Sequence, residues 1–224
     1  MSVRDMPLKK FIDSRHKALD DDLAQLRSAN ENENVPLILA ETEEILSLLT
    51  GLTKPRRILE LGTAHGYSSL FFAKKLPGAR ITTIERNPVM IEAAEAEFSS
   101  REEGSRIELR TGDADSILAD LVSELSEAEE KDKYDFVFID AAKSHYKDFF
   151  EQAEKICSRD ALIVCDNILL KGWIVEADGD AARRHRTSIK YMKKFLDYLK
   201  ERDDLEVTLL TGGDGLAVIR FINE

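Results

Sequence analysis

Arg57-Ile58-Leu59-Glu60-Leu61-Gly62-Thr63-Ala64-His65-Gly66-Tyr67-Ser68-Ser69 runs from an apolar segment through a glycine loop into the start of a helix. The apolar half does not alternate with polar residues as a half-buried strand would, which is the pattern of a parallel strand covered on both faces. Four further stretches end the same way, in a carboxylate. They are Ile81-Thr82-Thr83-Ile84-Glu85, Ile107-Glu108-Leu109 leading to Asp113, Phe136-Val137-Phe138-Ile139-Asp140 and Leu162-Ile163-Val164-Cys165-Asp166. In an open α/β sheet ligands bind outside the carboxyl ends of the strands. A carboxylate at each end therefore lines one cleft with acids, suited to hydroxyls, cationic groups or a divalent metal.

Working outward, the periodicity predicts strands near 57–61, 81–85, 106–110, 134–140 and 161–166, separated by helices near 67–75, 88–99, 114–126 and 146–156. A helix near 184–202 follows, then Leu205–Leu210 and Leu216–Phe221 joined by Thr211-Gly212-Gly213-Asp214-Gly215. Strands joined so tightly are antiparallel. The fold class is therefore α/β: a mostly parallel, Rossmann-like sheet of seven strands with a C-terminal antiparallel hairpin and helices on both faces. Ahead of it, Phe11, Leu19, Leu23 and Leu26 lie at helical spacing within 7–29, and Asn30 to Asn34 reads as a polar break. A second helix runs through Ile38, Ile45 and Leu49. The expected organisation is an N-terminal helical extension, 1–34, and one catalytic domain, 35–224.

At 224 residues, with 43% hydrophobic and 33% charged residues, the chain has the composition of one globular α/β domain. A net charge of −11 argues against broad nucleic-acid binding, although a local basic patch can still bind RNA. The two cysteines, Cys157 and Cys165, form no metal or disulfide motif, which fits a reduced, cytoplasmic protein. No apolar run reaches the roughly 18 residues of a membrane span.

In the loop after the first strand the spacing is Gly62-x-x-x-Gly66, not the Gly-x-Gly-x-x-Gly that cradles a pyrophosphate. Glu85, at the end of the next strand, is placed to take both hydroxyls of a ribose, or to cap the helix opened by Asn87-Pro88. Asp113, after Thr111-Gly112, is placed beside an adenine, or caps the helix that follows. The pattern fits S-adenosylmethionine better than NAD. His65 has no evident acidic partner and reads as a loop residue rather than a catalytic one. Asp140, Asp166 and Asn167 bring three oxygen donors to adjacent strand ends, which suits Mg²⁺, Mn²⁺ or Ca²⁺ and not zinc. Asp166-Asn167 can equally be a simple turn. Lys143, three residues past Asp140, is a candidate general base at the same cleft, although surface lysines are common.

Leu59-Glu60-Leu61-Gly62-Thr63 with Gly66-Tyr67-Ser68, Ile84-Glu85-Arg86-Asn87-Pro88, Phe138-Ile139-Asp140-Ala141-Ala142-Lys143 and Asp166-Asn167 resemble the metal-dependent class I O-methyltransferases, the catechol and caffeoyl-CoA type, from Val35 to Phe221. The resemblance implies that Glu60, Gly62 and Ser68 line the methionine part of S-adenosylmethionine, with the backbone of Ile38 at its end. Glu85 would hold the ribose, and Asp113 and Ala114 would flank the adenine. Asp140 would touch both cofactor and metal, Asp166 and Asn167 would complete the metal site, and Lys143 would be the base. A closer resemblance is to bacterial tRNA 5-hydroxyuridine methyltransferases. It rests on Asn32–Pro36, Asp166–Gly172 and the late helix with Arg184-His185-Arg186-Thr187, Met192 and Phe195–Tyr198. It makes tRNA the expected partner, gripped by Arg183, Arg184 and Arg186 with Trp173 stacking on a base, and a small catechol-like compound the alternative. The basic run can also be an ordinary solvated helix start, and Trp173 departs from the smaller residues commoner in those enzymes. The family commonly forms homodimers, so one is expected here. A nicotinamide-dependent oxidoreductase is disfavoured by the glycine spacing and the terminal hairpin, and a non-catalytic binding module by the intact ligand set and Lys143.

Overall fold

The computed structural model describes residues 11, 14–175 and 183–222. Its centre is a seven-stranded sheet: β1 (Arg57–Leu61), β2 (Arg80–Glu85), β3 (Ile107–Thr111), β4 (Tyr134–Ile139), β5 (Cys157–Asp166), β6 (Leu205–Leu210) and β7 (Leu216–Phe221). The spatial order is β3-β2-β1-β4-β5-β7-β6. The first five strands are parallel, and β7 runs antiparallel to both β5 and β6. Around the sheet lie α1 (Asp21–Asn32), α2 (Ala40–Thr53), α3 (Tyr67–Lys75), α4 (Pro88–Ser99), α5 (Ala114–Glu124), α6 (Tyr146–Ile156) and α7 (Arg186–Lys200). The mixed sheet with its terminal hairpin is the one the sequence predicts.

Successive strand residues point to opposite faces, so a sheet covered on both sides fills two cores from one set of strands. Leu59, Leu61, Val137, Ile139, Ile163 and Ile219 pack against Leu118, Leu121, Phe149, Phe150 and Phe195 of α5, α6 and α7. Their neighbours Ile58, Ile81, Phe136, Phe138 and Val164 turn the other way, onto Leu46, Leu70, Phe71, Phe72 and Phe98 of α2, α3 and α4. The two edge strands are the exceptions, with Glu108 exposed on β3 and Glu206, Thr208 and Leu209 on β6. Arg106, just before β3, donates to the carbonyls of Ala73 (2.5 Å), Leu76 (3.0 Å) and Ala79 (3.1 Å), so one guanidinium satisfies the C-terminal end of α3.

Several local boundaries differ from the sequence expectation: α2 begins at Ala40, which leaves Ile38 outside it in the preceding link, and α7 spans Arg186–Lys200 rather than 184–202. The N-terminal helix begins at Asp21, because Asp20 caps it by accepting the Leu23 N–H at 2.8 Å and Asp21 and Asp22 fill its acidic first turn. It continues through Asn32, past the expected break at Asn30, whose side chain is buried; residues 7–10, 12 and 13 of the expected helix lie outside the described residues. Strand β5 begins at Cys157 rather than near 161, since Cys157 pairs with Tyr134 across an irregularity in register. The polar stretch Ser158-Arg159-Asp160 conceals that pairing in the sequence. No described helix is long and apolar enough to cross a membrane.

Leu23 and Leu26 of α1 sit in the same core as β1 and α3. Truncating the wholly buried Leu23 to Ala is expected to cost about 2–5 kcal/mol. In urea the whole chain should still unfold in one transition, shifted to lower denaturant. A separate early transition, with the main one unmoved, would make α1 a detachable appendage.

Candidate active site

Register places the site. Leu61 pairs with Ile84 of β2 and with Ile139 of β4, and Ile139 pairs with Cys165 of β5. The next residues, Glu85, Gly62, Asp140 and Asp166, therefore leave the sheet side by side. Gly62 has φ +99°, and a Cβ there would fall on the carbonyl oxygen of Asp140, so only glycine lets the ends of β1 and β4 approach this closely. Beside them opens a cavity of about 420 Å³ lined by Gly62, Glu85, Asp113, Ala114, Asp140 and Phe149, among others. Five of the residues expected to hold S-adenosylmethionine are thus brought together.

Glu85 is fixed by backbone amides. One carboxylate oxygen accepts from Thr63 (3.3 Å) and Ala64 (3.0 Å) of the glycine loop, and the other from Arg86 and Asn87 (both 2.9 Å). Capping of α4 is done by Asn87, which accepts the Val89 N–H at 3.0 Å, so Glu85 is free of that task. Asp113 occupies the N-cap position of α5 without making the capping hydrogen bond and pairs with Arg86 at 3.2 Å.

Glu60 lies deeper, wholly buried within β1 and outside the cavity lining. One of its oxygens accepts from Ser69 Oγ and from Thr83 Oγ1 (2.7 Å), while the other is buried with no partner. Burial pushes its carboxyl up to about 7 against the hydroxyl hydrogen bonds, Ser68 among them, that pull it down. Ser68, in the first turn of α3, is also buried. Ile38 is buried, and its carbonyl accepts from Arg27 at 3.1 Å.

On the other side of Asp140, Asp166 is wholly buried at the end of β5. Its Oδ1 accepts the Asn167 N–H at 2.6 Å, and its Oδ2 is buried without a partner. Burial, and then the neighbouring Asp140 carboxylate, hold its carboxyl well above the usual range. Asn167 has φ +57°. Neither Asp166 nor Asn167 lines that cavity. Among the described residues no three His, Cys, Asp or Glu side chains gather as a metal site. The expected set is instead two carboxylates and one amide, and the unpartnered Asp166 oxygen next to Asp140 fits an all-oxygen site for a hard cation.

Lys143 donates to Asp140 Oδ1 at 2.6 Å and to Tyr146 Oη at 2.9 Å. Tyr146 is the functional residue the sequence reading missed. Its buried hydroxyl also lies 3.1 Å from the carbonyl of Ile139 and 2.8 Å from that of Asp166, so one oxygen ties the ends of β4 and β5 together and holds the lysine. The signal was present: Lys143 and Tyr146 stand three apart at the opening of a helix.

Trp173 stacks on His185 (ring centroids 4.2 Å apart, planes 13° apart), with Lys171 Nζ 5.9 Å from its ring centroid. Arg183, Arg184 and Arg186 are exposed around that stack. His65 turns away to Asn30, at 3.3 Å.

Two predictions test this geometry. Glu60 binds a proton more tightly folded than unfolded, so the cofactor-free protein loses stability as pH rises from the ordinary carboxyl range to about 7. Glu60→Gln should therefore raise the melting temperature at pH 8, by an amount equivalent to about 2–3 kcal/mol, and leave it nearly unchanged at pH 4. Equal effects at both pH values would contradict the assignment. Tyr146→Phe keeps the ring and removes the hydroxyl. It is expected to lower kcat by about 10-fold or more while the affinity for S-adenosylhomocysteine, measured by calorimetry, changes less than about twofold.

Comparison with known proteins identifies the family. A family model described as O-methyltransferase matches residues 14–222. The chain is 32% identical over 181 residues to a catechol O-methyltransferase of Mycobacterium tuberculosis, covering 78% of this chain and 79% of that one. It is 32% identical over 160 residues, 70% of each chain, to a catechol O-methyltransferase of Niastella koreensis. The O-methyltransferase TomG of Streptomyces achromogenes, solved with S-adenosylmethionine, superimposes with a TM-score of 0.79 at 27% identity, over 97% of this chain and 96% of that one. The chain belongs to the O-methyltransferase family and is an S-adenosylmethionine-dependent enzyme of the catechol and caffeoyl-CoA type.

Proposed function

We propose that this enzyme methylates one of two vicinal oxygens on a planar, catechol-like ring, with a divalent hard cation held by Asp140, Asp166 and Asn167. The observation that carries the reading is the buried Asp166 oxygen without a partner, beside Asp140 and Lys143. Such a group is expensive to leave empty-handed and inexpensive beside a cation. The two relatives at 32% identity, both catechol O-methyltransferases, support the acceptor class.

Glu85, Gly62, Asp113 and Ala114 bind the nucleoside end of S-adenosylmethionine in the cavity, and Ile38 and Ser68 border its methionine end. A cation held by Asp140, Asp166 and Asn167 would supply positive charge that lowers the pKa of a substrate hydroxyl. In its neutral form Lys143 Nζ takes the proton of that hydroxyl, held in place by Asp140 and Tyr146. The freed oxygen attacks the sulfonium methyl in line, the carbon–sulfur bond breaks, and the sulfur leaves as a neutral thioether. Positioning and charge stabilisation supply the acceleration, since no covalent enzyme intermediate forms.

A second reading has its own observation. The exposed Arg183, Arg184 and Arg186 around the Trp173–His185 stack suit anticodon phosphates and a splayed base, in an otherwise acidic chain. The 5-hydroxyl and 4-carbonyl of a wobble 5-hydroxyuridine are vicinal, as in a catechol, so the same site serves both.

Labelled S-adenosylmethionine offered to a catechol and to hydroxyuridine-containing tRNA in one reaction separates them. The expected result is catechol labelling that EDTA abolishes and Mg²⁺ or Mn²⁺ restores. Asp166→Ala should lower it about 100-fold or more and weaken Mn²⁺ binding measured directly by titration. Labelling of tRNA alone, lost in Arg184→Ala with Arg186→Ala and at raised salt, would select the second reading. Undiminished transfer in EDTA would remove the cation.

A further inference from the structure

Arg27, on α1, is a buried cation that no step of methyl transfer uses. Its guanidinium donates to three segments at once: to the Ile38 carbonyl at 3.1 Å, to the Tyr67 hydroxyl at 3.2 Å, and to the Glu43 carboxylate. Its charge also lies 4.7 Å from the centroid of the Tyr67 ring. Tyr67 in turn donates to the same Glu43 oxygen at 2.6 Å, closing the cluster. The Arg27 side chain is 11% exposed and that of Glu43 3%.

A buried ion pair is poor value as a stabiliser, because desolvation offsets most of its attraction and a packed apolar pair serves as well. What the planar fork of arginine does uniquely is fix several acceptors in one geometry. The three it fixes share a location. Ile38 lies in the link between α1 and α2, Glu43 is in the first turn of α2, and Tyr67 is the first residue of α3, directly after the glycine loop. Gly66, with φ +83°, has Phe98 packed where its Cβ would be, so the loop cannot yield on that side without moving α4. A second α1 side chain reaches the loop, since Asn30 Oδ1 lies 3.3 Å from His65 Nδ1. Ion pairs from Asp20 and Asp22 at the helix start to Lys74 (2.8 and 3.1 Å) dock α1 along α3 itself.

We infer that Arg27 is a positioning residue for S-adenosylmethionine, setting the distance between the Ile38 backbone and the start of α3 and so the width of the pocket for the methionine end. This rests on the reading that the methionine end lies between Ile38 and the Gly62–Ser68 loop. Helix α1 then serves the binding of the methyl donor.

The test is S-adenosylhomocysteine affinity by calorimetry, with thermal unfolding and steady-state kinetics alongside. Arg27→Met keeps the stem over Tyr67 and removes the fork. It should weaken S-adenosylhomocysteine about 10-fold and raise KM for S-adenosylmethionine similarly. The acceptor KM and kcat at saturating donor should stay within about twofold. Arg27→Lys should fall between. Because Arg27→Met strands a buried carboxylate, Arg27→Met with Glu43→Gln is the second variant: it should recover most of the lost melting temperature and little of the affinity. Wild-type affinity in Arg27→Met, or recovery of affinity together with stability in the double variant, would overturn the inference and leave Arg27 a structural residue. Glu85→Ala separates the two readings. If it weakens S-adenosylhomocysteine while Arg27→Met does not, only the role of Arg27 fails; if neither weakens it, the cofactor placement fails as well.

Discussion

Parallel pairing of β2, β1, β4 and β5 in one register forces Glu85, Gly62, Asp140 and Asp166 to emerge from the sheet at a single level. Carboxylates crowded into a partly dry cleft repel one another and resist burial as charges. Everything at the site can be read as a way of meeting that cost. Glu85 is met by four backbone amides, two of them from the glycine loop. Asp140 is met by the Lys143 ammonium. Glu60 is met by hydroxyls and by keeping its proton to higher pH. Asp166, like Glu60, keeps one buried oxygen with nothing to accept from, and does so beside the Asp140 carboxylate, where a cation brings the largest gain.

The helices divide this work. Those on one face carry Lys143 and Tyr146 to the ends of β4 and β5, where the Tyr146 hydroxyl joins the main-chain carbonyls of Ile139 and Asp166. On the opposite face α1, α2 and α3 are bound to one another by the Arg27–Glu43–Tyr67 cluster beneath the glycine loop. The Tyr146 and Arg27 clusters thus rest on different sides of the sheet, whose β1 and β4 ends meet at Gly62 and Asp140. There the missing side chain of glycine lets two strand ends touch.

Much of this was legible in the chain. Continuous apolar runs ending in acids gave strands, and the tight Thr211–Gly215 turn gave the antiparallel hairpin, because a two-faced core and a short connection each leave one solution. The helices 67–75, 88–99 and 146–156 coincide with those observed, since each is bounded by glycine, Asn-Pro or a change in period. The start of α1 is hidden by apolar spacing, because Phe11 and Leu19 carry the helical period of Leu23 and Leu26 back across the Asp20 cap.

The sequence by itself determined the order of elements, the two-sided burial of the sheet and the acids at its strand ends, all of which follow from local pattern and chain connectivity. Only the tertiary structure decided how each acid is answered. Glu85 gave up a helix cap to Asn87 and took the loop amides instead, Glu60 withdrew beneath the loop, and Tyr146 and Arg27 acquired their roles. Most of those outcomes depend on atoms brought together from positions 7 to 40 residues apart. Hydrogen-bond partners and burial are properties of that three-dimensional neighbourhood, which local spacing encodes only in part, as at Lys143 and Tyr146.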